Sequence, residues 1–188
     1  TVEVGGLVSI FGATSSNTGI ASAGAHQPVF AGGFSDAFLA KFHLNGTRMW
    51  GSYMGGAGTD NATGITVGTT GQLALSGYTT SVSGIASAGA ADVTFGGDAD
   101  AFVAQFTSGG TRSWSTYLGS SGHDIATGID FTGNYPVVCG YTTSTSGIAT
   151  GASYDLTHNG MEDAFAVRYN ASGAKLLGTY FGGSGNDR

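Results

Sequence analysis

The chain has 188 residues, of which 35 are glycine and 2 proline, with 40% hydrophobic residues and a formal net charge of −6. That apolar share excludes a disordered chain, and many glycines with few prolines indicate frequent tight turns rather than a collagen-like or low-complexity tract. The acidic balance leaves no basic stripe for a phosphate backbone, which argues against a nucleic-acid partner, and no run of about 18 apolar residues is present to span a membrane.

Internal repeats organise the chain. Gly19-Ile20-Ala21-Ser22 returns as Gly84-Ile85-Ala86-Ser87 and Gly147-Ile148-Ala149-Thr150, and Asp36-Ala37-Phe38 returns as Asp100-Ala101-Phe102 and Asp163-Ala164-Phe165. Tyr53, Tyr117 and Tyr180 each precede a Gly-rich segment that ends at Asp60, Asp124 and Asp187. The shared period of about 64 residues divides the chain into repeats 1–65, 66–129 and 130–188.

In chain order, the middle unit predicts strands over residues 63–67, 73–79, 100–107 and 112–118, rich in β-branched and aromatic residues. In the third of these, Phe102, Ala104 and Phe106 fall on one face and Ala101, Val103 and Gln105 on the other. Short turns at Thr70-Gly71 and Ser108-Gly109-Gly110 join the outer pairs, with Asn45-Gly46 and Ser172-Gly173 at equivalent places. The connection through residues 80–99 is long, and the fourth strand leads into the Gly-rich segment, so loop lengths alternate short and long.

An antiparallel meander with this alternation puts both longer loops of every unit at one end. The predicted fold is therefore all-β, with β-propeller-type repeats: three four-stranded antiparallel blades of about 64 residues, each burying its faces against a neighbour. A β-solenoid also repeats, but its coils are shorter and its loops need not alternate. Propellers close with about 4 to 8 blades, so three units predict either a segment of a longer propeller or half of a six-bladed ring made by two chains.

Phe38, Phe102 and Phe165, with Trp50 and Trp114, recur in register and are expected in the core between blades. Cys139 is the sole cysteine, permits no intrachain disulfide and is expected to be a small core residue. The long loops carry Phe30 and the ligand-face candidates Phe34, Phe95 and Tyr154, with Asp36, Asp100 and Asp163 at the loop exits. Asp60, Asp124 and Asp187 are read first as carboxylates that close a glycine turn by accepting backbone N–H groups. Paired with Asp36, Asp100 and Asp163 they are secondary calcium candidates, short of the six or so oxygens that a calcium ion takes. No other cofactor is expected.

The histidines His26, His43, His123 and His158 show no repeated position in the sequence. His123-Asp124 near Ser121 invites a hydrolase reading, but no Gly-x-Ser-x-Gly elbow is present and no catalytic residue is assigned.

Asp100-Ala101-Phe102-Val103-Ala104-Gln105-Phe106 and Trp114-Ser115-Thr116-Tyr117-Leu118-Gly119 resemble the bacterial SBBP repeat of seven-bladed β-propellers. So do Gly77-Tyr78-Thr79-Thr80, Gly140-Tyr141-Thr142-Thr143 and Gly182-Gly183-Ser184-Gly185-Asn186-Asp187; the first unit departs with Phe11-Gly12-Ala13-Thr14. The long connection at residues 83–90 is similar to versions in large secreted Bacteroidetes proteins. The resemblance implies a secreted or cell-surface location and no general enzymatic role.

The expected function is thus a non-catalytic extracellular module that presents its long-loop face to a surface protein, a glycan or another copy of itself. A carbohydrate-binding propeller is the alternative, and a hydrolase ranks third. The charge-poor surface opposes self-association only weakly.

Overall fold

The computed structural model describes residue 1 and residues 6–188. Its elements are β1 (Leu7–Thr14), β2 (Asp36–His43), β3 (Arg48–Met54), β4 (Asp60–Val67), β5 (Leu73–Thr79), β6 (Asp100–Phe106), β7 (Arg112–Leu118), β8 (Asp124–Thr132), β9 (Tyr135–Thr142), β10 (Asp163–Tyr169) and β11 (Lys175–Phe181). No helix occurs among the described residues, hence none long and apolar enough to cross a membrane.

The strands form three sheets, β1-β2-β3, β4-β5-β6-β7 and β8-β9-β10-β11, each an antiparallel meander. In the first sheet Thr1 pairs with Ser9 through two backbone hydrogen bonds of 2.9 Å. β4 begins at Asp60, earlier than the sequence suggests, and β8 at the equivalent Asp124, because these residues already pair with Thr79 and Thr142 of the following strands. Residues 60–65, assigned to the first repeat by counting the period, therefore belong to a strand of the second sheet.

Alternation along β6 dictates the packing. Phe102, Ala104 and Phe106 join Leu39, Trp50 and Met54 of the first sheet in one core cluster, while Ala101 and Val103 join Phe165, Val167 and Tyr180 of the third sheet in another. The middle sheet is thus covered on both faces, which is why all seven β6 residues are buried.

The same contacts recur at both junctions. The Trp50 indole N–H donates to the Ser108 carbonyl (3.0 Å), and that of Trp114 to the Ala171 carbonyl (3.1 Å). Each ring lies against the hairpin glycine of the next sheet: a Cβ on Gly110 would fall 2.7 Å from Trp50, and one on Gly173 2.6 Å from Trp114. These glycines also hold φ of 88° and 86°, a left-handed conformation that side chains disfavour. Nearer the other edge, Thr63 donates to the Ala126 carbonyl (2.6 Å) and Thr66 to Asp130 (2.8 Å), tying β4 to β8.

Two core expectations need correction. Cys139 is exposed, because it points away from the second sheet and no layer lies over that face of the third. Phe38 is only half-buried while Phe102 and Phe165 are 0% and 2% exposed, because it faces outward from the first sheet.

Candidate functional site

The long connections and the Gly-rich segments meet at one end of every unit. The backbone N–H groups of Asp60, Asp124 and Asp187 donate to the carbonyls of Ser35 (2.7 Å), Ala99 (2.7 Å) and Glu162 (2.8 Å), sewing each short segment to the exit of the long loop. The backbones approach so closely that a Cβ on Gly97 would sit 2.2 Å from the Gly122 carbonyl oxygen, and one on Gly160 2.2 Å from that of Gly183. Glycine is required there because any side chain would part the two loops.

Two rows of aspartates hold this end together. Asp60 accepts from the Gly56 N–H (2.8 Å), the Ser81 hydroxyl (2.8 Å) and the Thr79 hydroxyl. Asp124 repeats the set with the Ser120 N–H (3.1 Å), the Ser144 hydroxyl (2.7 Å) and the Thr142 hydroxyl, and Asp187 accepts from the Gly183 N–H (2.9 Å). These are the turn-closing carboxylates that the glycine pattern suggests. Burial raises the Asp60 and Asp124 carboxyls despite these donors.

Asp36, Asp100 and Asp163 are fully buried, so they brace the loops from within rather than face a partner. One oxygen of each accepts a loop N–H, from Ala31 (2.8 Å), Gly96 (2.9 Å) and Asn159 (2.9 Å). The other oxygen, Oδ1, has no hydrogen-bond partner in any of the three. A Cβ on Gly55 would fall 2.9 Å from Asp36 Oδ1 and 2.6 Å from Asp60 Oδ2, so the two rows converge on the glycine backbone. Burial, with the neighbouring carboxylates Asp60 and Asp124 adding to it, pushes Asp36 and Asp100 up to about 6. Each junction offers two carboxylates, and no group of three or more His, Cys, Asp or Glu suited to a metal ion occurs among the described residues.

The aromatic candidates separate. Phe34 and Tyr154 are 82% and 85% exposed on the long loops, but Phe95 is half-buried, edge-on to Tyr117 at 6.2 Å. Phe30 meets Tyr53 in the same way (6.3 Å), and so does His158 with Tyr180 (6.0 Å). His158 therefore does occupy a repeated position, that of Phe30 and Phe95; the change of residue type hid it in the sequence. The three tyrosine hydroxyls donate to the carbonyls of Ser16 (2.8 Å), Ser81 (2.8 Å) and Ser144 (3.0 Å), pinning the start of each long loop. Burial pushes Tyr117 and Tyr180 up to about 12.

The carboxylate beside His123 is committed to Thr142, Ser144 and the Ser120 N–H, which leaves Asp124 no free oxygen to orient an imidazole. A cavity of 260 Å³ lies in the middle long loop, lined by Val82, Ser83, Ala86, Val93 and Tyr117 among others. A groove of 380 Å³ lined by Thr70, Gln72, Gln105 and Asn134 lies at the opposite end, by the short hairpins.

Fold and site together define an all-β protein of antiparallel meanders stacked face to face, with the loops of each sheet gathered at one end. Comparison with family models and with curated proteins gave no match.

Proposed function

We propose that the chain is a non-catalytic structural or interaction module built from β-propeller-type blades of the SBBP kind, working in secreted form or at the cell surface. The carrying observation is that the loop end is built for rigidity: its carboxylates, hydroxyls and glycines bind one another in the same way at successive junctions. Polar groups that satisfy each other in a buried network make the segments they join rigid. What such an end offers a partner is a fixed, charge-poor surface of long loops. Particle imaging tests the blade arrangement: sheets fanning around an axis support it, and sheets stacked along a straight line refute it.

The exposure of Phe34 and Tyr154 favours a second reading, a carbohydrate-binding module, since an exposed ring can stack on a sugar face. Phe95 takes no part in it, being packed on Tyr117. Glycan-array binding lost in both Phe34→Ala and Tyr154→Ala would establish this reading in place of the first, and an array without signal would discard it.

A further inference from the structure

The two outermost faces of the stack carry, uncovered, the residues that the internal junctions bury. On the third sheet Phe181 stands at the repeat position of Met54 and Leu118; it is 66% exposed where they are 0% and 1%. Leu177 stands at the position of Trp50 and Trp114 and is 39% exposed against their 8% and 5%. Cys139 is exposed where its counterpart Ser76 is fully buried.

The outer face of the first sheet is the matching half. Ile10 is 42% exposed, whereas Leu75 and Val138, its counterparts, are 0% exposed. Phe42 is half-buried where Phe106 and Tyr169 are 0% exposed. The hairpin glycines Gly110 and Gly173 carry the rings of Trp50 and Trp114, but a Cβ on Gly46, the third member of the series, would meet nothing within 4 Å. Beside Gly46, Leu44 is 70% exposed at the position where Ser108 and Ala171 receive the tryptophans.

We infer that the outer face of the third sheet docks on the outer face of the first sheet of a second copy, with Leu177 seated against Gly46 and Phe42 as Trp50 and Trp114 are against Gly110 and Gly173, and Phe181 covered nearer the loop end of the same face. This deepens the interaction-module reading and rests on it, naming the partner as the chain itself. The geometry continues the hairpin end of an interface that the molecule already forms twice; the first strand of each receiving sheet, β4 or β8, has no counterpart in the first sheet among the described residues. Leucine at the tryptophan position removes the indole donor that the internal junctions give to a backbone carbonyl, so this contact is apolar where those use a hydrogen bond. Arg168 is no obstacle, because Lys41 at the same repeat position is 1% exposed within the first junction. The contact is head-to-tail, so it closes into a ring or grows as a chain of copies.

Sedimentation across a concentration series, with Phe181→Asp and Ile10→Asp variants, tests this. Both positions are partly exposed, so each variant is expected to fold in dilute solution with a melting temperature lowered by only about 2 to 4 °C. The parent is expected to associate as concentration rises, with Cys139 becoming protected from a maleimide reagent. Each variant alone is expected to stay monomeric, weakened more than about tenfold, with Cys139 reactive. Mixed, the two form a heterodimer that stops at two copies, because each retains one intact face. A parent that stays monomeric at every concentration overturns the inference, as does an Ile10→Asp variant that dimerises with itself. Neither outcome touches the module reading, which falls only if the sheets prove not to fan around an axis.

Discussion

Leu118 and Phe181 occupy one repeat position in successive sheets, yet the third sheet covers the first of them, while the second meets the Tyr154 ring at 6.4 Å and no sheet. Leu118→Ala removes three buried carbons, about 2.4 kcal/mol at about 0.8 kcal/mol each, and the residual cavity brings the expected loss to about 3 kcal/mol. Phe181 is 66% exposed, so Phe181→Ala forfeits about a third of a full phenyl burial worth about 3 kcal/mol, or about 1 kcal/mol. For a chain of this size about 3 kcal/mol corresponds to a melting shift of about 6 to 12 °C. Urea unfolding in dilute solution reads both losses at unchanged slope. Equal losses at the two positions would mean that the chain itself covers the outer face of the third sheet. A Leu118→Ala loss below about 1 kcal/mol would mean that the second and third sheets are not packed together.

Gly173→Ala and Gly46→Ala share the strain of a positive φ, 86° and 82°, but only the first drives a Cβ to 2.6 Å from Trp114. Gly46→Ala is expected to cost about 1 kcal/mol and Gly173→Ala at least about 1 kcal/mol more, measured by urea unfolding. Asp36 and Asp100 are raised from 3.8 to about 6, so their contribution to stability is full below pH 3.8 and is lost as pH rises through about 6. His26, lowered from 6.5 to about 4 by burial and by Arg112, acts in the opposite sense over the same window. The clean readout is therefore Asp36→Asn, whose stability relative to the parent is expected to rise between about pH 4 and about pH 7; a constant difference would contradict the raised carboxyl. Melting curves in calcium and in chelator are expected to coincide, since Asp60 and Asp124 already have both oxygens satisfied. A rise in midpoint with calcium would assign the unpartnered oxygens of Asp36, Asp100 and Asp163 to the ion.

Much of this fold was legible in the residues. Period-two alternation in Phe102 to Phe106 announces a strand buried on both faces, because successive side chains must point opposite ways. Hairpin glycines mark the turns, and alternating loop lengths put the loops of a unit at one end, for reasons confined to the local chain. The turn-closing role of Asp60 and Asp124 was readable too, from a carboxylate that ends a Gly-rich segment and accepts the N–H four residues back, of Gly56 and of Ser120.

What lay beyond the sequence was whatever depends on having a neighbour. Cys139 and Ser76 sit at one repeat position, and so do Phe181 and Leu118, yet one of each pair is exposed and the other buried. The repeat fixes which way a side chain points; only the stacking of whole sheets decides whether another sheet meets it. The same holds for His158, whose bond of shape with Phe30 and Phe95 lies in the tyrosine ring it meets edge-on, a contact made between segments far apart in the chain. Local conformation is set by adjacent residues, whereas burial is set by surfaces that only the assembled layers bring together.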